Sequence, residues 1–104
     1  MKSGLSPSDE ALIRKVLSDF PEVEEVLLFG SRAMGNFKET SDVDLALKGD
    51  LDPSTVSKIK GRLEELPLPY LFDPIDYNAI GNPDLKEHID RVGKSFYLKG
   101  RKEK

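Results

Sequence analysis

Residues 42–47, Asp42-Val43-Asp44-Leu45-Ala46-Leu47, alternate in a way that only a half-buried strand satisfies. Successive side chains of a strand point to opposite sides, so Val43, Leu45 and Leu47 share one face while Asp42, Asp44 and Ala46 share the other. One face packs, and the other holds two carboxylates in parallel. A second strand is predicted over 23–29, where Val23, Val26, Leu27, Leu28 and Phe29 form a branched and aromatic run that stops at Gly30.

The rest of the chain supplies helices. Ser6-Pro7-Ser8-Asp9 has the form of a capped start with proline at the first helical position, and Leu12, Ile13, Val16, Leu17 and Phe20 follow at helical spacing as far as Pro21. Asp52-Pro53 opens a second helix with Val56, Ile59, Leu63 and Leu66 on one side, closed by Pro67 and Pro69. Residues 68–76 read as a third strand in which Pro74, unable to donate to a ladder, predicts an edge or a strand end. Pro83-Asp84 opens a last helix carrying Leu85, Ile89 and Val92, with Phe96 and Tyr97 packing beyond Gly93. The polar stretch 32–41 reads as a short helical turn and a loop. The expected fold is α/β: a single domain over residues 1–104, with a small mixed sheet, helices packed on one face and the acidic face open.

Composition limits the chemistry. The 104 residues contain no cysteine and one histidine, His88, so a disulfide framework, a thiolate zinc site and a cluster of histidine ligands are all excluded. A metal would have to be held by carboxylates, which favours a hard cation such as magnesium. The absence of disulfides suits a reducing cytoplasm, and Val26-Leu27-Leu28-Phe29, the longest apolar run, is too short to cross a membrane. The net charge of −3 is uneven: residues 99–104 carry +3 and read as a solvated, frayed basic terminus, which leaves −6 on residues 1–98. A body this acidic disfavours direct binding of nucleic acid, whose affinity comes from Lys and Arg.

The informative constellation is Gly30-Ser31, ten residues, then Asp42-Val43-Asp44. Two carboxylates at i and i+2 on one strand repel when both are ionised, and a divalent cation relieves that repulsion. Joined by a third carboxylate from a neighbouring strand, either Asp73 or Asp76, such a pair can hold two magnesium ions roughly 3.5–4 Å apart for an in-line phosphoryl displacement. A strand ending in a glycine turn and a short helix offers backbone N–H groups and a hydroxyl to phosphate oxygens. Arg32 is read as a fixed positive charge beside them, or else as a surface or capping arginine. His88, between apolar neighbours, reads as a packed or hydrogen-bonded side chain, and Tyr70, Phe72 and Tyr77 as core or edge residues.

Gly30-Ser31-Arg32-Ala33-Met34-Gly35 together with Ser41-Asp42-Val43-Asp44-Leu45 resembles the minimal nucleotidyltransferase (MNT) family of the DNA polymerase beta superfamily. The match is to that family's Gly-Ser-x10-Asp-x-Asp signature, whose four fixed positions arise by chance in a chain of this length with a probability on the order of 0.001. His88-Ile89-Asp90-Arg91-Val92-Gly93-Lys94 is similar to the family's closing helix. The resemblance implies a palm-like fold and transfer of a nucleoside monophosphate, with ATP the favoured donor and pyrophosphate leaving. It implies that Gly30 and Ser31, with Arg32 nearby, bind the nucleotide phosphates. It also implies that Asp42, Asp44 and Asp73 are the catalytic carboxylates and ligate two Mg2+ ions. Phe72-Asp73-Pro74-Ile75-Asp76 is similar to the segment that bears the family's third carboxylate, except for Pro74 where Val or Leu is expected, so Asp76 stands as the substitute.

A chain this short offers little surface for an acceptor. The resemblance therefore implies a partner, a helical-bundle protein of the HEPN class serving as toxin or substrate-binding subunit. The leading expectation is an antitoxin that adenylylates a hydroxyl on that partner. The alternatives are a small-molecule nucleotidyltransferase with a separate substrate-binding subunit, and a non-catalytic antitoxin that acts by binding alone.

Overall fold

A computed structural model describes residues 4–36, 38 and 42–100. Ser41 of the family signature and residues 101–104 of the basic terminus lie outside the described residues. The elements run α1 (Pro7–Ser18), β1 (Val23–Phe29), α2 (Ser31–Met34), β2 (Val43–Gly49), α3 (Pro53–Glu64), β3 (Phe72–Asp76), a 3-10 turn (Tyr77–Ala79), α4 (Pro83–Val92) and β4 (Lys94–Leu98).

Each long helix starts where its cap chemistry predicts. Ser6 accepts from the Asp9 N–H, Asp52 from the Thr55 N–H, and Asn82 from the Asp84 and Leu85 N–H groups, with proline at the first turn each time. α1 stops at Ser18, short of Pro21, because Asp19 closes it through its N–H to the Val16 and Leu17 carbonyls. The third strand is shorter than the apolar run that suggested it, since the prolines at 67 and 69 keep the chain out of the ladder until Phe72.

The four strands lie in the order β3-β2-β1-β4. β1 is antiparallel to both β2 and β4, and β2 is parallel to β3, so the sheet is mixed. Pro74 is accommodated because β3 is an edge strand. β4 is an addition to the sequence reading: the segment beyond Gly93, expected only to pack, pairs with β1 from Leu28↔Lys94 to Glu25↔Leu98. Its short, lysine-bearing sequence carries too little alternation to announce a strand.

Alternation then sorts the sheet into two faces. Val26, Leu28, Val43, Leu45, Leu47, Phe72 and Phe96 face the main core, where Ile13, Val16 and Leu17 of α1, Ala33 of α2, and Ile59 and Leu63 of α3 cover them. Full burial of each large apolar side chain contributes about 1.5–3 kcal/mol before entropy is counted. The opposite face is less open than expected. There α4 lays Ile89 against Phe29 and Ala46, with Leu27, Ile75, Leu85 and Val92 around them. Gly93 allows the tight exit from α4, because a Cβ there would overlap the Ile89 carbonyl oxygen. The carboxylate-bearing face is thus half covered, and what stays accessible is its end at Gly30 and the start of β2 and β3.

Candidate active site

Three carboxylates gather at that end. Asp44 on β2 stands opposite Phe29 of β1 on one side and opposite Asp73 of β3 on the other. Asp42 precedes Asp44 by two residues and shares its face. Asp42 and Asp73 are exposed and Asp44 is half-buried. Burial pushes the Asp44 carboxyl up to about 6, and the nearby charges of Asp73 and Asp42 push in the same direction, with His88 acting the other way. Asp44 therefore senses both of the other carboxylates and stands between them. Among the described residues no three His, Asp or Glu side chains lie close enough to hold a metal ion together.

Gly30 sits directly against Asp44. Its φ of +75° lies in the left-handed region, and a Cβ placed on it would overlap Asp44 Oδ2. Glycine is therefore required twice over, by conformation and by space. From Gly30 the chain turns into α2, whose Ala33 and Met34 N–H groups both donate to the Gly30 carbonyl at 3.1 Å. Gly35, with φ +85°, closes the turn through its N–H to the Ser31 carbonyl. Ser31 is half-buried in the first turn of this helix. A glycine elbow that leads into the first turn of a helix is a construction that phosphate-binding turns also use, and here it lies beside an acidic strand.

Arg32 is placed differently from the sequence reading. It is 1% exposed, and its guanidinium lies over the Tyr70 ring, 4.9 Å from the centroid. Tyr70 packs against the main core, on the side of the sheet opposite the carboxylates. The reason is directional: successive residues after Gly30 diverge around a helical turn, so Arg32 points to a different side from Ser31 and enters the core. Asp76 is also separated from the site. It pairs with Leu47, three positions along β3 from Asp73, and its carboxylate accepts the Asn78 N–H at 3.0 Å. His88 is the residue whose position the sequence did not reveal. Half-buried on α4, it meets Phe29 edge-on at 6.3 Å, which brings its charge within reach of Asp44. Only the packing of α4 across the sheet puts it there, and no local pattern encodes that.

A mixed sheet with paired aspartates beside a glycine-serine elbow defines the nucleotidyltransferase class. The polymerase beta nucleotidyltransferase domain matches residues 12–102, and the chain belongs to that family. Within it the chain is of the MNT type. It is 32% identical over 84 residues to a probable protein adenylyltransferase MntA of Haemophilus influenzae, covering 79% of this chain and 73% of that protein. The solved structure of a toxin–antitoxin with AMP-PNP aligns with a TM-score of 0.73 at 25% identity, over 88% of this chain and 75% of the other. The MNT antitoxin complexed with a tri-AMPylated HEPN toxin of Shewanella oneidensis shares the fold, with a TM-score of 0.66 at 24% identity over 86% and 70% of the chains.

Proposed function

We propose that this nucleotidyltransferase moves AMP from ATP to a hydroxyl on a HEPN-type partner protein and so serves as the antitoxin of a pair. The observation that carries this reading is the opposition of Asp44 and Asp73 beside Gly30, with Asp44 held up at about 6 by burial and by its neighbours. A half-buried carboxylate whose proton affinity is raised by burial and by two neighbouring carboxylates belongs to a donor set suited to hard divalent cations. Magnesium, when bound by Asp42, Asp44 and Asp73, supplies charge neutralisation at the reacting phosphate and at both entering and leaving oxygens.

The chain's own residues do the rest. The main chain at Gly30 and the hydroxyl of Ser31 bind the β- and γ-phosphates at the elbow. That grip points the α-phosphate at the carboxylates, since the elbow and the start of β2 lie side by side. Asp73, on the exposed edge strand, faces the solvent side where an acceptor arrives, and its carboxylate assists removal of the hydroxyl proton. The acceptor oxygen forms a bond to the α-phosphorus while the bond to pyrophosphate breaks.

The protein acceptor and the HEPN partner follow from the family resemblance, from the adenylyltransferase relative at 32% identity and from the toxin–antitoxin likeness at 25%. The cysteine-free composition suits work in the cytoplasm. The test is incubation of the chain with its partner, Mg2+ and α-labelled ATP, followed by intact-mass analysis. One or more AMP additions to the partner, abolished by Asp42→Ala, establish the reading. A stable complex without transfer moves the weight to binding alone, and label on a metabolite to a small-molecule acceptor.

A further inference from the structure

We propose that Arg32 and Tyr70 form a strut beneath the site that fixes the Gly30-Ser31 elbow relative to Asp73, with Arg32 a positioning residue and not a phosphate ligand. The inference rests on the nucleotidyl-transfer reading above and adds a residue pair to it. Arg32 belongs to α2, which follows the end of β1, while Tyr70 belongs to the chain leading into β3, two residues before Phe72. β2 lies between those strands, so the contact bridges two strand spacings, roughly 10 Å.

The Tyr70 end of the strut is fastened three ways. Its hydroxyl donates to Asp9 Oδ2 at 3.0 Å, its ring meets Phe72 edge-on at 6.5 Å, and the carbonyl of the next residue, Leu71, accepts the Val43 N–H at 2.8 Å. Asp73 follows two residues after that carbonyl, and Asp42 and Asp44 flank that N–H. The strut's anchorage is thus also the frame of all three carboxylates. The Arg32 end is continuous with the elbow, being next to Ser31 in the chain and 1% exposed.

A full charge is costly to bury, and an apolar side chain would fill the same place at lower cost. What a guanidinium adds is a flat, permanently charged surface that stacks on an aromatic face in one orientation. Among the described residues no buried side-chain nitrogen or oxygen lacks a partner, so the buried guanidinium is satisfied where it lies. Beyond the ladder, whose β3 member is an edge strand, and the shared apolar core, the strut is a direct side-chain link between the elbow after β1 and the segment that leads into β3.

The test compares the wild-type chain with Arg32→Lys, Tyr70→Leu, Tyr70→Phe and the double variant Arg32→Lys/Tyr70→Leu, each well below its melting temperature. Three quantities are read: the Kd for Mg2+ and AMP-PNP, kcat and KM for ATP with the partner, and hydrogen exchange at the Ala33, Met34 and Gly35 amides. A strut predicts that Arg32→Lys and Tyr70→Leu each lower kcat/KM by about 10–100-fold, and that the double variant is no worse than the poorer single one. Tyr70→Phe keeps the ring under the guanidinium but loses the bond to Asp9, so its loss is smaller than that of Tyr70→Leu. Exchange at the three α2 amides rises in Tyr70→Leu although no α2 residue has been changed.

Two results overturn it. A phosphate-binding arginine would leave Tyr70→Leu active and make the two substitutions additive. A contribution to folding alone would lower the melting temperature with kcat/KM unchanged. If the wild-type chain neither binds nucleotide nor transfers it, the functional reading fails separately. Amide exchange then still decides the strut, since unchanged exchange at Ala33–Gly35 rejects it.

Discussion

Gly30, which directly follows β1, faces Asp44 on the adjacent antiparallel strand β2, and the space a side chain would need on the first is filled by the carboxylate of the second. Main chain and metal-ligand candidate are in direct apposition, which makes the elbow and the acidic strand one unit.

Gly30→Ala is therefore expected to remove nucleotide transfer and to lower stability by about 1–3 kcal/mol, through the positive φ and the collision together. Adding Asp44→Ala to it relieves the collision but not the backbone strain. Urea unfolding of the two variants should show the double variant to be the more stable, and equal or reversed stabilities would mean that Asp44 swings away freely.

The raised Asp44 carboxyl makes a pH prediction whose sign is opposite to ordinary acid denaturation. Its folded value of about 6 lies above the ordinary 3.8, so the folded state holds the proton more tightly than the unfolded chain. The resulting penalty is complete above pH 6, shrinks between 6 and 3.8, and is gone below that. In EDTA, Asp44→Asn should be more stable than wild type at pH 7 by about 1 kcal/mol after discounting for the side chain's partial exposure, with the gap closing by pH 4. Thermal melts across that range measure it, and a gap that widens on acidification would contradict the burial account. Protons and divalent cations compete for the same group, so Mg2+ affinity should fall below pH 6.

Asp73 and Asp76 separate by experiment. Asp73→Ala should cost at least about 100-fold in kcat with little change in melting temperature. Asp76→Ala, which removes the acceptor for the Asn78 N–H, should cost about 1 kcal/mol of stability and leave kcat near wild type. Steady-state kinetics on both variants decide, and the reverse pattern would transfer the third-carboxylate role to Asp76.

Leu45 directly follows Asp44 on β2 and is fully buried on the opposite face. Leu45→Ala should cost about 2–5 kcal/mol as the lost contacts and the residual cavity add. Chemical denaturation measures the loss, and a cost below 1 kcal/mol would show that α1 and α3 can collapse into the gap.

The carboxylate strand was legible from sequence because alternation is a local code: Val43, Leu45 and Leu47 against Asp42 and Asp44 needs no knowledge of the rest of the chain. Helix starts were legible for the same reason, since Ser6 and Asp52 cap their own helices. What was not legible depends on distant neighbours. β4 exists only because β1 offers it a ladder, and α4 covers the second face only because Ala46 leaves room there for Ile89. Arg32 turned inward because a tyrosine 38 positions away was there to receive it. His88 was readable as a packed residue, but its approach to Asp44 required the angle of a whole helix.

The strand order β3-β2-β1-β4 places the last strand of the described fold beside the first. During synthesis, then, the first strand waits with one edge bare while α2 to α4 are made, and the sheet is not whole until Leu98 has been added. The Gly30-Ser31 elbow hangs from that same first strand. A chain interrupted before residue 94 would carry every proposed site residue and still lack the neighbour that completes their support, so competence should arrive late and abruptly, with the final strand.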